Sequence, residues 1–194
     1  PDARRTYTVV GTSRPRDRSR IGLLVVNRGA RINRGPYLSD LAQRSFDEVM
    51  LVELQANSYT VEGLSRDYPR YRFLLLEQHV SAGEQINAAL SEMVSDYVLV
   101  LWSTMVPSRI SANAVEHGAE WRAVVVTPMI RNETGGVVPS VVVPTTEHRA
   151  LRVQLREPRR DGSETLFPTD YVGLYDRERF LGIGGYDVRI THPY

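Results

Sequence analysis

The sequence predicts an α/β fold, a mainly parallel mixed sheet with helices on both faces, and three observations lead there. Four apolar runs, at residues 21–26, 49–53, 73–76 and 98–101, have the length and composition of strands. Segments with apolar residues at helical spacing lie between them, and strands that alternate with helices build parallel sheets covered on both sides. With 194 residues, 42% of them hydrophobic, the chain has enough apolar surface for one sizeable core.

Residues 1–20 read as an Arg-rich arm. Arg14-Pro-Arg-Asp-Arg-Ser-Arg20 combines Pro with dense charge, which favours a solvated, mobile segment over a polyanion-binding tail. Within the arm, Tyr7-Thr-Val-Val10 is either an extra edge strand or part of the same segment. Residues 21–194 are expected to form one domain. The first strand ends at Asn27-Arg28, and residues 38–46 follow at helical spacing with Ser39 or a neighbour as cap. The second strand ends at Glu53, before Gln55-Ala-Asn57-Ser58-Tyr-Thr60. After the third strand, Ser81 is placed to cap a helix over 84–93, and the fourth strand stops at Trp102-Ser103-Thr104. Residues 111–121 give another helix. The β-branched runs 123–126 and 137–143 flank Asn132-Glu-Thr-Gly135-Gly136, which reads as a hairpin turn between two antiparallel strands. Residues 156–169, rich in Arg, Pro, Asp and Gly, read as an exposed loop. No internal repeat is visible.

Composition removes several chemistries. The chain has no Cys, so disulfides, thiolate nucleophiles and Cys-type zinc sites are excluded. All 24 cationic residues of the Lys and Arg class are Arg, which excludes Schiff-base and P-loop lysines and leaves guanidinium forks suited to phosphate. A net charge of +1 argues against a nucleic-acid partner. No run approaches the ~18 apolar residues of a membrane span and no apolar signal core lies near Pro1, so a cytoplasmic location is expected.

Five segments, in order, carry a resemblance. They are Ile21-Gly-Leu-Leu-Val-Val-Asn27-Arg28; Val49-Met-Leu-Val-Glu53 with the polar loop after it; Ser81-Ala-Gly83-Glu84-Gln85-Ile86-Asn87; the strand ending at Trp102-Ser103-Thr104; and Arg177-Glu-Arg-Phe180-Leu-Gly-Ile-Gly184-Gly185-Tyr186-Asp187. Together they resemble the family-2 glycosyltransferases, nucleotide-diphospho-sugar transferases of the GT-A (Rossmann-like) fold. The likeness spans residues 21–187 and includes the family's Arg-x-x-Phe-x-x-x-Gly-Gly-Phe-Asp signature, with Tyr186 for Phe.

The resemblance implies a nucleotide-diphospho-sugar donor and an acceptor of unknown identity, a glycan or another molecule. It assigns Glu53, Asn57 and Ser58 to the base and ribose, and adds Asn27, Arg28, Trp102, Ser103 and Thr104 at the strand ends. Glu53 on its own reads equally well as a surface strand end. Gly83 and Asn87 read as a diphosphate-facing helix start or, alternatively, as a loop turn and a backbone partner. Trp102 stacks on a base or sugar in one reading and packs in the core in the other.

Two departures limit the carry-over. The family's fourth strand ends in Asp-x-Asp, which holds a divalent cation against the diphosphate; here Trp102 and Thr104 occupy the carboxylate positions, so no Mg²⁺ or Mn²⁺ is expected there. Arg28, Arg109 and Arg177 are then the candidates to stabilise the leaving diphosphate. The family also continues to an acidic pair that supplies the catalytic base, whereas this sequence reaches Tyr194 without one. Asp187 is the nearest carboxylate, and His192 has a suitable ordinary pKa. His79, His117 and His148 form no metal-spaced set. The sequence therefore supports a glycosyltransferase-like enzyme or, alternatively, a non-catalytic GT-A domain that binds a nucleotide, a glycan or a protein.

Overall fold

The four apolar runs lie side by side in one sheet. The computed structural model describes residues 7–11, 21–27, 34–77, 80–107, 112–159 and 162–189. Arg28, His79, Arg109, Ser111 and His192, with most of the arm, lie outside these residues. In chain order the elements are β1 (Tyr7–Val10), β2 (Ile21–Val26), α1 (Arg34–Ala42), β3 (Glu48–Leu54), α2 (Ser58–Asp67), β4 (Tyr71–Leu76), α3 (Ala82–Glu92), β5 (Tyr97–Trp102), α4 (Ala112–Glu120), β6 (Val125–Val126), β7 (Val141–Glu147), β8 (Ala150–Arg156), β9 (Gly173–Asp176) and α5 (Arg177–Gly182).

Among the described residues the main sheet has seven strands in the order β1-β4-β3-β2-β5-β9-β6. β2 pairs parallel with β3 on one side and with β5 on the other, and β3 pairs parallel with β4. β1 joins the outer edge antiparallel to β4, so residues 7–10 are an edge strand. β9 runs antiparallel to β5. The chain builds outward from β2 through β3 to β4, then returns to place β5 on the other flank. That reversal is a topological switch point, and it opens a crevice beyond the carboxyl ends of β2 and β5.

β2, β3, β4 and β5 are buried along nearly their whole length, and α3 turns Ile86, Ala89 and Leu90 into the same core. Gly22 belongs in β2 because a Cβ there would meet Met93 Cε at 2.7 Å and Ser95 Oγ at 2.8 Å, where the chain leaves α3.

Two local expectations shift. The first helix occupies Arg34–Ala42 and not 38–46. Pro36 sits in its first turn, where a missing N–H costs little. The helix closes with Gln43 N bonded to Asp40 O and Arg44 N to Leu41 O.

The hairpin is the larger correction. The Asn132 to Gly136 turn forms, with Asn132 Oδ1 accepting from Gly136 N at 2.8 Å, but it closes one isolated bridge, Arg131 to Val137. The long antiparallel pair is instead β7 with β8, a separate two-stranded sheet. Its turn residues His148 and Arg149 have φ of 50° and 64°. Consecutive left-handed residues match the twist of a two-residue hairpin loop. β6 pairs with β9.

Candidate functional site

At the carboxyl ends of the strands, Asn27, Glu53 and Gln85 come together. β2 delivers Asn27, and Gln85 from α3 grips its main chain in both directions. Asn27 N donates to Gln85 Oε1 at 3.4 Å, and Gln85 Nε2 donates to Asn27 O at 3.3 Å and to Val80 O at 3.3 Å. β3 delivers Glu53, whose side chain is buried although strand ends normally expose carboxylates. Asn57 Nδ2 donates to Glu53 Oε2 at 3.2 Å. Asn57 occupies the cap position of α2 yet makes no side-chain cap bond, because its amide is turned toward the carboxylate. Asn27, Val52, Glu53, Leu54, Leu76, Val80 and Gln85 line a small recess, open to solvent, with about 10 Å³ of free space, room for about one water. Ser58 begins α2 one residue beyond Asn57.

Gln85 was not singled out by the sequence reading. The signal was present: an amide on the buried stripe of α3, among Gly83, Ile86, Ala89 and Leu90, needs a partner inside the fold.

The other anticipated residues gather one step away, around the carboxyl-terminal segment. Gly83 lies under Tyr186, and a Cβ there would stand 2.9 Å from Tyr186 Cβ. Asn87 holds the same residue by its main chain, with Nδ2 donating to Tyr186 O at 2.8 Å and Oδ1 accepting from Tyr186 N at 2.9 Å. At Gly185, with φ +71°, a Cβ would stand 2.5 Å from Asn87 Oδ1, so only glycine fits. The start of α3 is closed by its own capping box. Ser81 Oγ accepts from Glu84 N at 3.2 Å, and the Glu84 carboxylate accepts from Ser81 N at 2.9 Å. A carboxylate thus already faces the helix dipole there.

At the end of β5, Trp102 is buried and its Nε1 donates to Asp170 O at 2.8 Å. Its ring meets Tyr171 edge-on, and Tyr171 meets Tyr186 edge-on at 4.9 Å between centroids. Ser103 is buried and Thr104 exposed. Asp170 and Tyr171 have φ of 54° and 63°, costly for non-glycine residues, and the indole bond and the ring contacts hold them there. Tyr175 and Tyr186 share a 2.5 Å hydroxyl contact. Burial pushes the Tyr186 phenol up to about 12 and the Tyr175 phenol well above its ordinary value.

A divalent cation at this strand end would be poorly served by these side chains. The indole N–H is a donor and not a ligand, and two neutral hydroxyls do not offset the dehydration of Mg²⁺. Among the described residues, no group of three or more His, Asp or Glu gathers. Asp187 is exposed and bonded to Arg189 at 2.7 Å, which holds its carboxyl down at about 2. So acidic a group is a weak proton acceptor at neutral pH. Arg177 does not reach the crevice: its guanidinium donates to Leu90 O at 2.7 Å and Ser91 O at 3.4 Å, satisfying carbonyls at the far end of α3.

No protein-family model and no curated protein matches the sequence, so the comparisons rest on structure. The chain is similar to S. aureus TarS residues 1–349, with a TM-score of 0.57 and 16% identity over 90% of this chain and 52% of that one. The crystal structure of TarS 1–349 in complex with UDP gives a TM-score of 0.56 and 17% identity, over 89% and 52% of the two chains. A longer TarS chain gives 0.56, with 31% of its length covered. The chain thus spans about half the length of TarS 1–349. The fold is GT-A-like, a mixed sheet flanked by helices. Among the described residues no helix is long and apolar enough to cross a membrane.

Proposed function

We propose that the chain binds the nucleoside-diphosphate part of a nucleotide sugar in the crevice of Asn27, Glu53 and Gln85. In this reading it is a glycosyltransferase-type domain, comprising residues 21–194 behind an arm of residues 1–20, whose Asp-x-Asp motif is replaced by Trp102-Ser103-Thr104. The observation that carries the reading is Glu53. A carboxylate is buried at the carboxyl end of β3 beside β2, lines a small recess, and takes the amide of Asn57, which makes no cap bond to α2. A carboxylate at such a place can accept from base N–H groups or ribose hydroxyls. That TarS, a protein of similar fold, crystallises with UDP supports the ligand class.

Asn57 and Ser58 would contact the base and ribose beside Glu53. Gly83 and Asn87 would act through Tyr186, fastening the carboxyl-terminal segment over the crevice. Arg28, the residue after Asn27, and Arg109 are our candidates for the diphosphate in place of a cation. The test is thermal stability with UDP, GDP and their sugars, with and without Mn²⁺. A nucleotide at about 100 times its dissociation constant adds about 2.7 kcal/mol of stability. We expect that shift without Mn²⁺ and little change on adding it. No shift with any nucleotide sinks the reading.

A second reading, a binding module without transfer activity, is favoured by Asp187, the carboxylate nearest to the family's base, whose oxygens are engaged by Arg189 at 2.7 and 2.9 Å. Nucleotide binding with no release of UDP or GDP from its sugar over a panel of acceptors selects it.

A further inference from the structure

We infer that the β7–β8 hairpin docks on an anionic phospholipid bilayer, laying one of its two faces at the lipid interface. Residues directly opposite each other in an antiparallel pair send their side chains to the same face. The register therefore puts Pro144 with Val153 and Thr146 with Leu151 on one face, continued by Leu155. It puts Val143 with Gln154 and Thr145 with Arg152 on the other, continued by Arg156. Only the root of the hairpin, at Val141 and Val142, is buried, and every residue of β8 is exposed.

The two faces are sorted the wrong way round for a strand pair that serves only the fold. A sheet with one solvated face turns its apolar residues inward and its polar ones out. Here the apolar face is the open one. Leu151, Val153 and Leu155 are 80%, 54% and 55% exposed, and Pro144 and Thr146 across from them are exposed as well. On the cationic face Val143 and Thr145 are half-buried. A contiguous apolar row left in water marks a surface that something else covers.

Charge selects the occupant. The hairpin carries Arg149, Arg152 and Arg156 against one carboxylate, Glu147. Glu147 lies 3.4 Å from Arg152, so Arg149 at the turn and Arg156 at the far end have no carboxylate partner among the described residues. These cations repel a second copy and attract an anionic surface. A bilayer interface matches both faces at once: the apolar row enters the boundary between headgroups and acyl chains, and the long Arg side chains snorkel to the lipid phosphates. A peptide strand added to the open edge of β8, or a polyanion held by the arginines, would leave the apolar face in water. The backbone groups on that edge stay hydrated at headgroup depth, whereas hydrocarbon would leave them unsatisfied, so the hairpin lies on the bilayer and does not cross it.

Co-sedimentation of the 194-residue chain with vesicles of phosphatidylcholine alone, and of phosphatidylcholine with phosphatidylglycerol, tests this. Binding is expected on the anionic vesicles and should fall as salt rises. Arg149→Gln with Arg156→Gln, and separately Leu151→Gln with Val153→Gln, should each weaken it about tenfold. Circular dichroism and the thermal midpoint should hold, because all four side chains are exposed. The chain has no Cys, so a polarity-sensitive fluorophore can be attached at one chosen position. On Val153→Cys its emission should shift to the blue with anionic vesicles, and further than on Gln154→Cys, which sits on the opposite face. Absence of binding to anionic vesicles overturns the inference, as does equal binding to neutral ones or an equal shift on the two faces. Binding that both hairpin variants leave unchanged overturns it too, and would place the contact elsewhere, such as on the Arg-rich residues 14–20.

Discussion

Glu48 and Glu53 stand on the same strand, one at each end of β3, and both are withdrawn from water, yet their surroundings differ in kind. Glu48 is saturated by permanent structure. One oxygen takes Arg72 at 2.6 Å, and the other takes Val94 N, Ser95 N and Ser95 Oγ at 2.9 to 3.1 Å. Arg72 also donates to Glu92 O at 2.9 Å. The cluster ties β3 and β4 to the exit of α3 and leaves no room for a ligand. Glu53 instead lines a small recess and is approached by an amide on a neighbouring helix start. A buried carboxylate is therefore not in itself a mark of function; what sets Glu53 apart from Glu48 is its place on the small recess at the carboxyl ends of the strands.

The largest expected effect breaks the structural end. Glu48→Ala strands the Arg72 guanidinium in a site where both side chains are under a tenth exposed. Removing one partner of such a pair costs about 3–5 kcal/mol. Urea denaturation should record that loss, with nucleotide affinity of the folded fraction unchanged. A cost under 1 kcal/mol would mean that water reaches Arg72.

Alkaline pH should act next, and more on the aromatic cluster than on either glutamate. Burial raises Tyr37, Tyr71 and Tyr186 from 10.0 to about 12. Below pH 10 the folded and unfolded chains both keep these phenol protons. Between 10 and about 12 only the folded chain keeps them, so unfolding releases protons and stability falls as pH rises. Tyr186→Phe should make that alkaline decline shallower in thermal scans between pH 8 and 12. An unchanged decline would place the Tyr186 phenol in water.

How much of this was legible depended on whether a feature had a local signal. The four central strands announced themselves because each is buried over nearly its full length, which demands continuous apolar sequence. The β7–β8 hairpin did not. Its turn residues are His148 and Arg149, and nothing in His-Arg advertises positive φ, whereas Asn132 and the Gly135-Gly136 pair advertise a turn that carries almost no sheet. The crevice was half legible. Asn27 and Glu53 follow apolar runs and were found by that rule. Gln85 was hidden in a helix, and the partners of Gly83 and Asn87 lie about a hundred residues away at Tyr186, a distance no local pattern spans.

The Glu53 end of β3 offers a sharper comparison through Glu53→Gln. The substitution keeps the shape and removes the charge, so stability should move by less than about 1 kcal/mol, unlike Glu48→Ala. A charge-assisted bond to a nucleotide should weaken, raising the dissociation constant for UDP about tenfold, or about 1.4 kcal/mol. Unchanged affinity with a large stability loss would make Glu53 a second Glu48.

The smallest effect concerns Trp102, buried at the end of β5. If its main task is to pin the strained Asp170-Tyr171 turn, Trp102→Phe should keep the ring contacts and lose only the indole bond to Asp170 O. One such bond is worth about 1 kcal/mol net. Nucleotide affinity should then change little, and adding Mn²⁺ should change it no more than in the parent chain, because the substitution introduces no oxygen ligand. Trp102→Asp is the informative contrast. It supplies a carboxylate at the strand end but also removes a buried ring, so it should destabilise the chain by about 3–5 kcal/mol. A folded Trp102→Asp chain whose UDP affinity responds strongly to Mn²⁺ would mean that the crevice retains a metal-ready geometry. Loss of UDP affinity in Trp102→Phe at unchanged stability would move the indole from scaffold to ligand contact.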